Sequence, residues 1–372
     1  MTNHKSLRVL VVDDTVFYRK IVTDILTELP DVEVVGTAHN GEIAMSKIAS
    51  LKPDLLTLDI DMPKMDGLEV LERMRSEAPG IGAIMLSAYT SEGGEMTMKA
   101  LELGAFDFIL KPQSQSLVEN KKALLAVITP MIKAFARLRE VRKILEKKRS
   151  LPGKKTIPKA DRGLSEVVQR MTAITSGKRQ KSKIVAIGIS TGGPVALADM
   201  LTGIPADLKA PILIVQHMPP TFTQALAKQL NEKCSIEVKE AENGERLRAH
   251  TVFIAPGGEQ MKIVNDATGK NKIIRITDDP PENGCTPSAD YLFRSVAGLF
   301  EGEATGVIMT GMGYDGTEGL KLMKQKGATI IAQDEPTSVV FGMARKPIEA
   351  GIVDVVAPLD RIAEEIVRTI HP

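Results

Sequence analysis

From residue 7 almost to its end, the chain alternates short apolar, β-branched runs with longer segments of helical periodicity. In residues 7–125 the runs are LRVLVV, VEVVGTA, DLLTLDI, IGAIMLSA and FDFIL, separated by segments such as TVFYRKIVTDILTEL and GLEVLERMRSEAP. Strands joined by helical crossovers specify a parallel sheet covered by helices on both faces. Residues 183–372 repeat the pattern with KIVAIGIS, APILIVQH, TVFIAPGG, KIIRIT, ATGVIMTG, ATIIAQD and IVDVVAP, and with TFTQALAKQLNE and DGTEGLKLMKQKG as the clearest helices. KIIRITDD lies close enough to TVFIAPGGEQMKIVND for an antiparallel hairpin, so this second sheet is expected to be mostly parallel with some antiparallel edge. The fold class is α/β, with two doubly wound, mostly parallel-sheet domains.

Between them, residues 126–182 read as a basic, partly helical linker. Thr129-Pro130 is expected to open a helix, with Pro at its first position, and Ile132, Phe135, Leu138, Val141 and Leu145 continue it. LPGKKTIPKADRG breaks that helix, and Leu164, Val167, Val168, Met171 and Ile174 suggest a second. Residues 133–183 hold 17 Lys or Arg against 4 Asp or Glu, in a chain whose formal net charge is only +1, so a basic bridge joins two acidic bodies. Solvated helix faces account for that charge; docking on an acidic surface is the sharper reading.

Composition excludes several classes. Aromatics are 3% with no Trp, leaving little to stack on nucleic acid, and no apolar run approaches the roughly 18 residues of a membrane span. The N-terminus passes straight into a strand pattern without a signal-peptide region. Cys234 and Cys285 fit no metal spacing. A cytoplasmic protein with free thiols is expected, with neither DNA binding nor membrane insertion.

Open parallel sheets bind ligands beyond the carboxyl ends of their strands. In the first domain, Asp13-Asp14, Asp59, Ser87 and Lys111 all fall at such ends. Clustered carboxylates repel one another unless a cation intervenes, and Mg²⁺ prefers hard oxygen ligands. Helix capping explains Asp13 or Asp14 before TVFYRK, but not the shared rim of the others. LVVDD, LDIDMPKMDG, LSA and GAFDFILKP resemble the receiver domain of two-component response regulators, over about 120 residues. The resemblance implies a flavodoxin-like fold with Asp59 accepting a phosphoryl group from a histidine kinase. It also implies Mg²⁺ held by Asp13, Asp14, Asp59 and a backbone carbonyl at Asp61. Lys111 and Ser87 would contact the phosphoryl oxygens, and Phe108 stands at the aromatic switch position.

In the second domain, GISTG fits G-x-S-x-G, a strand-to-helix turn that exposes a hydroxyl at Ser190. A phosphate cradle or a plain turn fits the same residues, although neither a Walker loop nor a dinucleotide fingerprint is present. A serine nucleophile needs a base, usually histidine. Of five histidines, His4 and His371 lie at the ends, His39 lies in the first domain, and His250 precedes its strand. His217 directly follows APILIVQ and so shares a rim with Ser190. Asp315, on the glycine-rich turn TGMGYDG, is the leading orienting carboxylate, with Asp334 after ATIIAQ the alternative. The order Ser, His, Asp, with serine after the first strand, argues against the α/β-hydrolase superfamily.

GISTGGP, VQHMPP, FIAPGG, PSADYLF and MTGMGYDG together resemble the catalytic domain of chemotaxis protein-glutamate methylesterases, over about 190 residues. Residues 1–125 would then be receiver, 126–182 linker and 183–372 a Rossmann-like esterase domain. The resemblance implies hydrolysis of γ-glutamyl methyl esters on methyl-accepting chemotaxis receptors, releasing methanol, and deamidation of receptor glutamines. Ser190 would be nucleophile, His217 base then acid, and Asp315 the orienting carboxylate. Thr191 and Met312 would border the oxyanion site, and no cofactor is expected in this domain. Tyr314 departs from the smaller or polar residue expected there, and Thr286 from a basic one. The linker is longer and more basic than the family pattern. The unphosphorylated receiver is expected to cover the Ser190 rim, with phosphorylation at Asp59 favouring an open arrangement. A DNA-binding output or a nucleotide-binding output are the rival classes. The first lacks a helix-turn-helix, and the second leaves His217 and Asp315 without a role.

Overall fold

The computed structural model describes residues 6–88, 90–112, 114, 116–149 and 181–371. The chain divides into two compact units, Met1–Leu151 and Pro152–Pro372. The first runs β1 (Leu7–Val12), α1 (Val16–Glu28), β2 (Val32–Ala38), α2 (Gly41–Leu51), β3 (Leu55–Asp59), α3 (Gly67–Glu77), β4 (Gly82–Ser87), α4 (Ser91–Glu102), β5 (Asp107–Leu110) and α5 (Leu117–Arg149). All its strand pairs are parallel, in the order β2-β1-β3-β4-β5. That is the flavodoxin-like order, whose switch point lies between β1 and β3. Every residue of β3 is buried, as a strand covered on both faces requires.

The helix expected to open at Thr129-Pro130 instead begins at Leu117 and carries Pro130 inside it. Proline removes one backbone donor and strains the preceding turn, at a cost of about 3 kcal/mol in a helix interior. Burial of Leu124, Ile128, Ile132 and Phe135 along one face of α5, against the core built on Val9, Ile84 and Ile109, offsets it. The second linker helix expected around Leu164–Ile174, and the break before it, lie outside the described residues.

The second unit runs β6 (Ile184–Ile189), α6 (Gly193–Leu201), β7 (Ile212–Gln216), α7 (Phe222–Lys233), β8 (Glu237–Glu240), β9 (Thr251–Ile254), β10 (Gln260–Asn265) and β11 (Lys272–Thr277). It continues with α8 (Ala289–Phe300), β12 (Ala304–Ile308), α9 (Thr317–Gln325), β13 (Thr329–Gln333), α10 (Arg345–Glu349), β14 (Val355–Ala357) and α11 (Leu359–Ile370). Seven strands form one parallel sheet in the order β14-β13-β12-β6-β7-β9-β8. The antiparallel pair β10–β11 is a separate two-stranded sheet rather than an edge of the main one. Strand β8 escapes the apolar-run reading because EVKE carries a single apolar residue. It is an edge strand, and charged residues are what edge strands carry to discourage further pairing.

The chain starts at the centre, builds outward through β7, then returns to add β12, β13 and β14 on the other side. The switch point therefore lies between β6 and β12, where a crevice opens at the strand ends. Phe293 of α8 is fully buried beneath it, in the core that joins Ala289, Ile308 and Leu320. Its ring lies where β6 and the start of α9 carry glycine, at Gly188 and Gly316. Phe293→Ala should cost about 3–5 kcal/mol in denaturant unfolding of the second unit. A loss under about 1 kcal/mol would mean that this ring does not anchor the helix.

Candidate active site

Ser190, His217 and Asp315 all stand at the switch-point rim of the second sheet. β6 pairs with β7 so that Ile189 faces Gln216, which makes Ser190 and His217 the next residues on adjacent strands. The Ser190 amide donates to the Thr310 carbonyl (3.0 Å), and the His217 amide to that of Ile189 (3.2 Å). The turn after Ser190 needs its glycines. Gly192 sits at φ +74°, a left-handed conformation costly for any residue with a Cβ, and a Cβ on Gly193 would fall 1.9 Å from Gln216 Oε1. Gln216, buried in β7, reaches across this gap, and its Nε2 donates to the Ser190 carbonyl at 3.0 Å. The serine turn and the histidine strand are thus tied by one amide that sequence reasoning overlooked.

Asp315 is buried and crowded with donors. Its Oδ2 accepts from His217 Nε2 (2.8 Å) and from the Ala289 amide (2.6 Å). Its Oδ1 accepts from the Ser288 hydroxyl (2.8 Å), Asn283 Nδ2 (3.0 Å) and the Asp290 amide (3.2 Å). The carboxylate therefore sits on the N-terminus of α8, where free amides and the helix dipole favour negative charge. Burial alone would raise its pKa, but the hydrogen bond and charge of His217, with the bonds from Asn283 and Ser288, hold it down to about 2. Burial would likewise lower the pKa of His217, but its bonds to Asp315 and Cys285 carry it up to about 9. With Nε2 on Asp315, the nitrogen left for chemistry is Nδ1, and Cys285 Sγ lies 3.8 Å from it.

Asp334, the alternative carboxylate, caps a turn instead: its Oδ1 accepts from the amide (3.1 Å) and hydroxyl (2.6 Å) of Thr337. His250 immediately precedes β9, as its place in the sequence implied. Thr191 is buried next to Ser190, and Met312 lies half-buried on the loop after β12. Tyr314 projects into solvent, 56% exposed, rather than filling the crevice. Asn283, Cys285 and Ser288 were not singled out as site residues. Ser288 directly before ADYLF is an N-cap signal that could have placed a helix N-terminus there.

The first unit builds its own rim at the β1/β3 switch point. Asp13 and Asp59 are buried and Asp14 is exposed, and one oxygen from each lies within 4.8 Å of the others. Lys111 Nζ reaches Asp59 at 2.6 Å and Asp13 at 2.9 Å, and it stands 4.9 Å from the centre of the Tyr18 ring. Asp13 also accepts from the Thr15 amide at 2.9 Å, an Asx-type turn ahead of the helix; the N-cap of α1 is Thr15, with no side-chain cap bond, so neither Asp13 nor Asp14 caps the helix. Burial, then repulsion from Asp13, raises the Asp59 pKa to about 7 despite Lys111. A compact set of hard oxygens short of positive charge fits Mg²⁺. Ser87 lies one position beyond Leu86, which pairs with Asp59, but its hydroxyl accepts from Thr97 at 2.9 Å. Phe108 is buried in β5, three residues before Lys111, and Asp61 lies exposed beyond β3.

Comparison with known proteins agrees with this division. The family model for the response regulator receiver domain matches residues 9–122, and that for the CheB methylesterase matches residues 185–366. A protein-glutamate methylesterase/protein-glutamine glutaminase of Desulfotalea psychrophila is 53% identical over 368 residues, covering 98% of this chain and 99% of that one. The protein of the same name from Geobacillus kaustophilus is 44% identical, covering 98% and 99%, and that of Pyrococcus abyssi is 39% identical, covering 99% and 94%. Fold and comparisons together define the class, a response-regulator receiver joined to an α/β methylesterase unit. The chain belongs to the CheB family of protein-glutamate methylesterases/protein-glutamine glutaminases.

Two expectations follow from the charges. The depressed Asp315 contributes stability that is present above its unfolded value near 4 and lost as pH falls toward 2. The raised His217 contributes stability that is present below 6.5 and lost as pH rises through about 9. An NMR titration of the imidazole should therefore place His217 well above 6.5, and Asp315→Asn should bring it down; a wild-type midpoint at or below 6.5 would contradict the pair. In the first unit, Mg²⁺ at about 100 times its Kd should stabilise folding by about 2.7 kcal/mol. Asp14→Ala should weaken that effect, read as a smaller rise in Tm; a rise of the same size in the variant would exclude Asp14 as a ligand.

Proposed function

We propose that this chain hydrolyses γ-glutamyl methyl esters on methyl-accepting chemotaxis receptors by a serine mechanism, under control of phosphorylation at Asp59. The observation that carries this reading is the Asp315–His217 pair at 2.8 Å, standing beside Ser190 on the neighbouring strand end. Ser190 Oγ attacks the ester carbonyl carbon while its proton passes to His217 Nδ1. Asp315 holds the ring through Nε2 and stabilises the imidazolium. Backbone amides at Thr191 and Met312 receive the developing oxyanion, each such donor being worth about 10²–10³ in rate. The C–O bond then breaks and the methoxide leaves as methanol, taking the proton from His217. Water, deprotonated by the same nitrogen, cleaves the acyl-serine and leaves a glutamate carboxylate. A glutamine side chain on the same path loses ammonia instead of methanol, which is the deamidation named in the relatives.

In the receiver, Asp59 accepts the phosphoryl group from a histidine kinase, and Asp13, Asp14 and Asp59, with the Asp61 carbonyl, would hold Mg²⁺. The bound cation would neutralise the charge gathered between the carboxylates and the incoming group. Lys111 already contacts Asp59, so it is placed to meet a phosphoryl oxygen. Ser87 must exchange its Thr97 bond for the phosphoryl group, with Phe108 as the associated switch. Residues 1–125 serve as receiver, 126–182 as linker and 183–372 as the esterase. A receptor substrate and a kinase phosphodonor would both be met in the cytoplasm, which supports a cytoplasmic protein. Among the described residues no helix is long and apolar enough to cross a membrane.

The test is methanol release from methylated receptor fragments. Ser190→Ala should lower the rate by at least about 10⁴-fold. A small phosphodonor with Mg²⁺ should raise the wild-type rate and leave Asp59→Asn unchanged. Because His217 must be neutral to act, kcat/KM should climb with pH through about 9 rather than level off at 6.5. Substantial release by Ser190→Ala would rule out the serine mechanism.

A further inference from the structure

Cys285 has no part in the mechanism above, yet it faces the nitrogen on which that mechanism turns. We propose that Cys285 Sγ and His217 Nδ1 form a binding site for a thiophilic divalent cation such as Zn²⁺, and that occupation of it silences the esterase. The binding itself rests only on geometry; its effect on rate rests on the role proposed for His217.

Three observations point the same way. The Sγ···Nδ1 separation is 3.8 Å. Zinc bonds of about 2.3 Å to sulfur and 2.0–2.1 Å to nitrogen, at a tetrahedral angle, place the two atoms about 3.6 Å apart. The pair is thus set at bite distance before any ion arrives. Second, histidines that bind zinc donate their other ring N–H to a carboxylate, which fixes the tautomer and orients the lone pair. His217 Nε2 already donates to Asp315 at 2.8 Å, and Asp315 is itself held by Ser288, Asn283 and the amides of α8. Third, the cysteine is held in place. Its amide donates to the Glu282 carbonyl (2.8 Å), the Glu282 amide donates back (3.1 Å), and the Gln260 side chain donates to the Cys285 carbonyl (3.3 Å). The thiol is half-buried, which leaves a path for an ion from solvent.

Binding displaces the thiol proton to solvent and occupies the Nδ1 lone pair. That lone pair is the one that must take the Ser190 proton, so metal and catalysis exclude each other. Two protein donors leave the remaining positions to water, and the site is expected to release its ion to a chelator. The receiver rim offers only oxygens, so a sulfur signature separates the two sites.

Co²⁺ is the probe, added to the full chain in excess Mg²⁺ to keep the receiver rim filled. The wild type should give a near-ultraviolet thiolate-to-cobalt absorption band. The band should disappear in Cys285→Ser and in Cys285→Ala, and persist in Cys234→Ser, which removes the other cysteine. In parallel, Zn²⁺ should inhibit methanol release reversibly. In Cys285→Ser the half-inhibiting concentration, judged against that variant's own metal-free rate, should rise by about tenfold or more, since even outer-shell changes at zinc sites cost that much. Absence of the band in the wild type, its survival in both Cys285 variants, or equal zinc sensitivity in Cys285→Ser would overturn the proposal. The absorption reads binding even if the serine mechanism fails, so the two failures are distinguishable.

Discussion

The catalytic unit depends on one buried carboxylate. Asp315 is expensive to bury as a charge, and the structure surrounds it with two amides from the start of α8, the Ser288 hydroxyl, the Asn283 amide and the His217 ring. That crowding holds Asp315 charged, and its bond to the ring, with that of Cys285, raises the His217 pKa. The carboxylate stays ionised, and the imidazole beside it is held in one orientation with Nε2 engaged. Segments far apart in the chain, the loop after β12, the 282–288 turn and the end of β7, must all be in place before any of these bonds form. The site is therefore a property of the folded unit and not of any local motif.

The receiver rim solves a similar problem in the opposite direction. Asp13 and Asp59 are buried together, and among the described residues Lys111 alone forms an ion pair with both. Burial, then repulsion from Asp13, leaves Asp59 reluctant to ionise despite Lys111, a state that a bound divalent ion would relieve. Here too the carboxylates come from the ends of different strands, at the place where the strand order reverses. Both rims exploit the same feature of parallel α/β sheets: neighbouring strands that leave the switch point in opposite directions open a crevice between their carboxyl ends.

Much of this was legible beforehand. The apolar β-branched runs announce buried parallel strands, and strand polarity alone puts Ser190 with His217 and Asp59 with Lys111. The glycines around Ser190 are legible too, as a tight turn, whereas the close approach of Gln216 that requires Gly193 is not. Other features were not. Strand β8 hides behind its charges, α5 runs through a proline that local propensity would use as a start, and the hairpin stands apart from the sheet edge. In the first two cases tertiary burial or edge exposure overrode a local preference.

Sequence by itself determined the alternation of strand and helix, the class of both units and the rim on which each candidate site residue stands. These follow from periodicity and chain direction, which are local. Only the tertiary structure decided between Asp315 and Asp334, because that choice turns on which carboxylate meets the imidazole and which one caps a turn. It alone decided that Nε2 is the nitrogen engaged by Asp315, and that Cys285 stands beside Nδ1. Distances between residues 68 and 98 positions apart are set by how strands and loops pack, and no local pattern encodes them.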